Sequence, residues 1–172
     1  MRWLPYQLNP DVPAEGMSRQ AYIESKFGPG GRRNYTRVED IGKTLGITFA
    51  FDAITVQPNT VNAHRLMYFG TRAGREDETA EALFRAYFID GKVLTNLDVL
   101  ADIGAEAGLD RDALARYLAS DDGRDAVLEA DMSARRAGIS GVPFFIFNRK
   151  VAISGAHEPE TLLEAMAQAE GA

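Results

Sequence analysis

The stretch Ile139-Ser140-Gly141-Val142-Pro143-Phe144-Phe145-Ile146-Phe147, with Asn148-Arg149-Lys150 and Val151-Ala152-Ile153 behind it, decides how this chain is read. An apolar and aromatic run, a polar turn and a second apolar run predict two antiparallel strands. Proline cannot donate to a ladder, so Pro143 belongs at the first position of its strand or beside a place where pairing stops. Only about 5% of X–Pro bonds in folded proteins are cis, so the local residues by themselves favour a trans Val142–Pro143 bond. Gly155 ends the second strand, and Pro159-Glu160 opens an amphipathic helix with Leu162, Leu163 and Met166 on one face.

Working back from the hairpin, the chain is helical by pattern. Apolar residues recur at spacings of three and four, with polar residues between them. Ser18 starts a short helix carrying Tyr22, Ile23 and Phe27, and Gly28-Pro29-Gly30-Gly31 stops it. A second helix carries Tyr35, Val38, Ile41 and Leu45. Asn59-Thr60 starts one through Leu66 and Phe69. The Glu76-Asp77-Glu78 cluster suits the positive end of the next, which buries Leu83, Phe84 and Tyr87. Further helices follow Asn96, Asp110 and Ser120, and Gly70, Gly91 and Gly108 fall at or near helix ends. At the front, residues 2–8 (Arg-Trp-Leu-Pro-Tyr-Gln-Leu) read as a strand, because they alternate in character and Pro5 argues against a helix interior. The order is strand, many helices, hairpin, helix.

Composition bounds the function. The chain has 172 residues, 45% hydrophobic and 26% charged, with a formal net charge of -6. A chain of this size buries roughly 70% of its unfolded surface and needs neither metal nor disulfide to hold a core. The acidic balance argues against nucleic acid, which requires a clustered Lys/Arg face. No apolar run reaches the ~18 residues of a membrane-spanning helix, and Met1-Arg2-Trp3-Leu4-Pro5 is unlike a secretory signal, so a cytoplasmic location is the default. There is no cysteine, hence no thiolate nucleophile, CxxC pair, cysteine zinc site or disulfide within these residues.

Few residues remain as candidates for chemistry. His64 and His157 stand in no metal-ligand spacing, and no metal is expected. Ser140 and Ser154 each lie in Ile-Ser-Gly and miss the GxSxG nucleophile elbow. Gly28–Gly31 lacks the lysine and hydroxyl of a phosphate loop, and Asp121-Asp122 reads as a helix cap before an acid/base dyad. Asn59-Thr60 has two readings. A helix N-terminus offers free N–H groups to an anion such as a carboxylate, while the commoner role is to cap its own helix.

Trp3 through Pro10, Pro58-Asn59-Thr60 with Ala63-His64-Arg65, Leu83-Phe84-Arg85-Ala86-Tyr87-Phe88, and Ile139 through Phe145 together resemble the DsbA-like, FrnE-type thioredoxin-fold proteins. These are grouped with 2-hydroxychromene-2-carboxylate isomerases and kappa-class glutathione transferases. The resemblance runs from Met1 to about Ala169. It implies an α/β fold: a thioredoxin-like sheet (1–16 and 139–172) with a large all-helical insertion (17–138). It also implies that the bond before Pro143 is cis. Val142 would then offer its backbone to an extended peptide or to glutathione, with Gly141, Pro143, Asn59 and Thr60 as further substrate-binding residues. Family members begin with one more strand and a helix whose N-terminus carries CxxC, or the serine of the isomerases. That first strand and first helix, about 35 to 45 residues, are expected to be absent here.

Loss of a central strand exposes two sheet edges. Three outcomes follow: closure of residues 2–8 directly on the hairpin, pairing with a second chain as a homodimer, or a start codon placed too late in a longer gene, which we favour. Three functions compete. The first is a thiol-disulfide oxidoreductase acting on protein thiols, with its catalytic dithiol missing and therefore no catalytic residue in this chain. The second is an isomerase or transferase in which glutathione supplies the sulfur. The third is a non-catalytic peptide-binding module.

Overall fold

Capping side chains and apolar stripes set the helices where the spacing places them. In the computed structural model, which describes residues 1–31 and 33–171, the order is β1 (Met17–Ser18), α1 (Arg19–Phe27), α2 (Arg33–Thr44), a 3-10 turn (Phe51–Ala53), β2 (Val56–Gln57), α3 (Val61–Arg72), α4 (Glu76–Phe88), α5 (Leu97–Glu106), α6 (Arg111–Ala119), α7 (Arg124–Arg136), β3 (Phe144–Phe147), β4 (Val151–Ser154) and α8 (Pro159–Gly171). Ser18, Asn96 and Asp110 accept first-turn N–H groups of α1, α5 and α6 through their side chains. Arg32, within the expected insertion, and Ala172, the last residue of the expected C-terminal segment, lie outside the described residues.

Two compact units result, one of Met1–Trp3 with Asn9–Leu128 and one of Leu4–Leu8 with the residues from Glu129 onward. In the first, α3 to α6 close over Leu66, Leu100, Ile103 and Leu114, all fully buried. Each such side chain contributes about 1.5–3 kcal/mol. Gly70 lies inside α3, where a Cβ would collide with the Thr79 hydroxyl of α4, so glycine there permits the close approach of the two helices. Tyr35, Phe49, Phe51 and Phe88 form an aromatic cluster, with Phe49 stacked on Phe51 at 5.0 Å between centroids.

Arg65 is 3% exposed and has no carboxylate partner among the described residues. Its guanidinium donates to the carbonyls of Tyr117, Leu118, Ser120 and Asp122 at 2.7 to 3.1 Å, and to Asn62 Oδ1 at 2.9 Å. The negative end of α6 therefore supplies the counter-charge, and one side chain ties α3 to α6. The β1–β2 ladder, two residues long, was not read from the sequence.

In the second unit the β3–β4 hairpin pairs Phe144 with Ser154, Phe145 with Ile153, Ile146 with Ala152 and Phe147 with Val151, as the sequence indicates. Asn148 and Arg149 take positive φ (50° and 60°), and the Lys150 N–H donates to the Phe147 carbonyl at 2.9 Å, the pattern of a type I′ turn. α8 packs on the hairpin through Ala165 and Ala169, whereas Leu163 and Met166, expected on its buried face, are exposed. The small residues let the helix approach, and the large ones stay outside. Phe84 likewise is half exposed and meets Trp3 edge-on at 6.0 Å.

Residues 2–8 form no strand, which corrects the expectation, and direct closure of that segment on the hairpin does not occur. Side chains take the place of a ladder. Asp131 Oδ1 accepts the Gln7 N–H at 2.7 Å, Arg135 donates to the Gln7 carbonyl, and the Arg135 guanidinium lies 4.6 Å over the Tyr6 ring. Asp131 and Arg135, one turn apart on α7 and paired at 3.0 Å, thus bind both backbone groups of one residue. They also bring residues 129–138, counted above with the helical insertion, into the compact unit of the hairpin.

Two outcomes test these couplings. Arg65→Met strips four carbonyls of their donor, and urea melts should show a loss of roughly 3 kcal/mol; a loss under about 1 kcal/mol contradicts the role given to Arg65. Burial pushes the Tyr87 phenol up to about 12 from its ordinary 10.0. Its stabilising contribution is complete below pH 10 and is lost as pH rises through about 12. The melting temperature should therefore fall more steeply between those values in the wild type than in Tyr87→Phe, and equal slopes contradict it.

Candidate peptide-binding edge

The approach to β3 is set by the end of α7. The Gly138 N–H donates to the Arg135 carbonyl at 2.9 Å and the Ile139 N–H to the Ala134 carbonyl at 3.1 Å, with Gly138 at φ +85°. This is a Schellman cap, whose left-handed residue only glycine adopts without cost. It turns Ile139-Ser140-Gly141 away from the helix axis and into the strand. The Val142–Pro143 bond is cis.

Which groups of β3 face outward follows from one bond. The Gly155 N–H donates to the Pro143 carbonyl at 2.9 Å, so Pro143 faces β4. In an antiparallel ladder the facing alternates, so Phe145 and Phe147 also pair with β4, while the N–H and C=O groups of Phe144 and Ile146 point to the other edge. No strand occupies that edge among the described residues. Val142, 44% exposed, lies just before the strand across the cis bond and has no hydrogen bond at either backbone group among them. Its side chain and that of Ile146, 52% exposed, leave apolar surface beside the edge. Phe144, Ile146 and Ala152 share one face of the hairpin and, with Ala137 and Ile139, line a shallow concavity of about 220 Å³. Phe145 and Phe147 stack on the opposite face, 6.4 Å apart and nearly parallel.

The residues singled out from the sequence divide between the two units. Gly141, Val142 and Pro143 lead into the edge just described. Asn59 and Thr60 belong to the helical unit, where Asn59 Oδ1 accepts the Val61 N–H at 3.0 Å and its Nδ2 donates to the Val12 carbonyl at 2.7 Å. Thr60 is the first residue of the α3 cap, and its carbonyl accepts the His64 N–H at 2.9 Å. Both polar groups of Asn59 are thus engaged in positioning α3 on the preceding loop. No set of three His, Asp or Glu side chains converges as metal ligands would among the described residues.

Sequence reasoning did not find Phe144 and Ile146, whose contribution is backbone rather than side chain. The signal that finds them is the period of two, counted from a proline that must sit at the strand start. It also missed the Asp131–Arg135 pair, legible only as an acidic and a basic residue one turn apart on a helix.

Comparison with known proteins bears on the fold and the family. The uncharacterized protein YwbO of Bacillus subtilis (strain 168) is 23% identical over 157 residues, 88% of this chain and 73% of the relative. A crystal structure from Streptomyces coelicolor, described as that of the probable DsbA oxidoreductase SCO1869, superimposes with a TM-score of 0.86 at 23% identity, over 96% of this chain and 73% of the other. That likeness extends to the fold, a thioredoxin-like architecture with a helical insertion. The family model described as the DSBA-like thioredoxin domain matches residues 1–167, and the chain belongs to that family.

Proposed function

We propose that this chain is the peptide-holding part of a DsbA-family, FrnE-like thiol-disulfide oxidoreductase, binding an extended thiol- or disulfide-bearing segment along the open edge of β3. The observation that carries the reading is that edge: outward backbone groups at Phe144 and Ile146 of β3, with the unbonded backbone groups of Val142 just before it. An extended segment laid beside it would exchange main-chain hydrogen bonds, with affinity from the backbone and selectivity from the apolar side chains alongside. Glutathione, itself a short peptide thiol, is the alternative ligand for the same edge and belongs to the isomerase or transferase reading. A cytoplasmic setting goes with either.

The chemistry of exchange fixes what this chain contributes. A thiolate attacks a disulfide sulfur, a mixed disulfide forms, and the second thiol leaves. None of the 172 side chains carries a thiol, so these residues can supply binding and orientation but not the attacking sulfur. Pairing of two β3 edges in a homodimer is the competing use of the same groups.

The edge makes a residue-by-residue prediction. Amide hydrogen exchange should be fast at Phe144 and Ile146 and at least about tenfold slower at Phe145 and Phe147, since only the latter donate within the hairpin. An extended cysteine-containing peptide should slow Phe144 and Ile146, while the same peptide N-methylated along one edge should not. Uniform exchange along β3, or equal protection by both peptides, contradicts the proposal. Glutathione titrated separately decides between the two ligands, and protection that rises with protein concentration alone assigns the edge to a dimer. In dithiol-driven insulin reduction the chain should give no turnover, and a rate above the uncatalysed one would overturn the sulfur argument.

A further inference from the structure

The open edge of β3 ends at a basic turn. Phe144, Ile146 and Ala152 lie on one face of the hairpin and border the concavity of about 220 Å³, and Arg149 and Lys150 border it at the turn end. Both cations are exposed, and no acidic residue borders the concavity among the described residues. The Arg149 side chain has no hydrogen-bond or ion-pair partner among them, whereas Lys150 is engaged elsewhere as well. A chain of net charge -6 thus carries an apolar hollow closed at one end by positive charge.

Strand geometry fixes which side chains of an added segment reach these groups. Successive side chains alternate between faces, and a strand rises about 3.3 Å per residue. A segment paired along the outer edge therefore lays every second side chain on the face of Phe144 and Ile146, at intervals of about 7 Å. One such side chain stands beside Phe144 and the next beside Ile146. The third stands beside the turn, where Asn148 and Arg149, at positive φ, reverse the chain. The first two meet apolar surface, and a carboxylate at the third meets the Arg149 guanidinium. β3 already pairs antiparallel with β4, and the antiparallel ladder is the more stable per residue. In that direction the turn-facing residue comes first in the added segment, and the apolar pair follows at positions three and five.

A second copy of this chain is a poorer match. With two β3 edges paired antiparallel, the basic turn of one copy would face Ile139-Ser140-Gly141-Val142 of the other, which carry no carboxylate.

Given strand addition at β3, on which this rests, we infer that the edge selects extended segments in which an acidic residue precedes two apolar ones at alternate positions. Arg149 reads the acidic residue, and Lys150 adds to the positive potential beside it.

Two capped heptapeptides of the same composition and charge test the selection. Both carry valine third, isoleucine fifth and serine at the even positions, which keeps thiol chemistry out of the measurement. One has glutamate first and glutamine last, and the other has the reverse. Both should slow amide exchange at Phe144 and Ile146. At low ionic strength the glutamate-first peptide should bind about threefold tighter, the scale of an exposed ion pair. That advantage should disappear at high salt and in Arg149→Gln, where slow exchange at Phe145 and Phe147 reports an intact hairpin. Protection of β3 by both peptides with equal affinities, or a preference unchanged in Arg149→Gln, overturns the inference and leaves strand addition standing. Binding of neither peptide, or binding without protection at Phe144 and Ile146, removes strand addition and the inference with it.

Discussion

A backbone N–H or C=O withdrawn from water must find a partner, and the structure is organised by how this chain meets that demand. Where the helices end, side chains and caps meet it. Arg65 takes the carbonyls at the end of α6, Asn59 joins the start of α3 to Val12, and a Schellman cap closes α7 at Gly138. Asp131 and Arg135 hold both backbone groups of Gln7, so residues 4–8 are anchored without belonging to a sheet. The outward groups of β3, like the outer edge of β4, have no strand beside them among the described residues.

The two units differ in how they are stabilised. The helical unit buries large aliphatic side chains completely and adds the Arg65 network between α3 and α6. In the hairpin unit the buried apolar residues are alanines, Ala165 and Ala169, while Gln7 and Asp131 are its buried polar ones and the phenylalanines of β3 are only partly covered. A two-stranded sheet is marginal by itself in water. Apolar strand faces and an unpaired edge that are liabilities in isolation become a means of recognition when an extended segment adds to them.

Most of the helical architecture was legible because its cause is local. Ser18, Asn96 and Asp110 cap helices as their position before apolar stripes indicates, and the hairpin follows from two apolar runs around Asn148-Arg149-Lys150. What escaped has long-range causes. Residues 2–8 carry the alternation of a strand, but the partners of Tyr6 and Gln7 are side chains more than 120 positions away on α7, and those of Trp3 are Glu76 and Asp77 on α4. Leu163 and Met166 look like a buried stripe, yet the fit of α8 to the hairpin selects Ala165 and Ala169. Of the candidate site, Gly141–Pro143 was visible through the proline. The roles of Phe144 and Ile146 depend on ladder facing, which requires knowing that Gly155 bonds to Pro143.

The central claim is that β3 receives a strand. Intermolecular NOEs between a bound, isotopically labelled extended peptide and the backbone protons of this chain test it most directly. The expected set runs along Val142, Phe144 and Ile146 in a single register. NOEs confined to the helical unit, or absent from β3 while the peptide is saturably bound, contradict it.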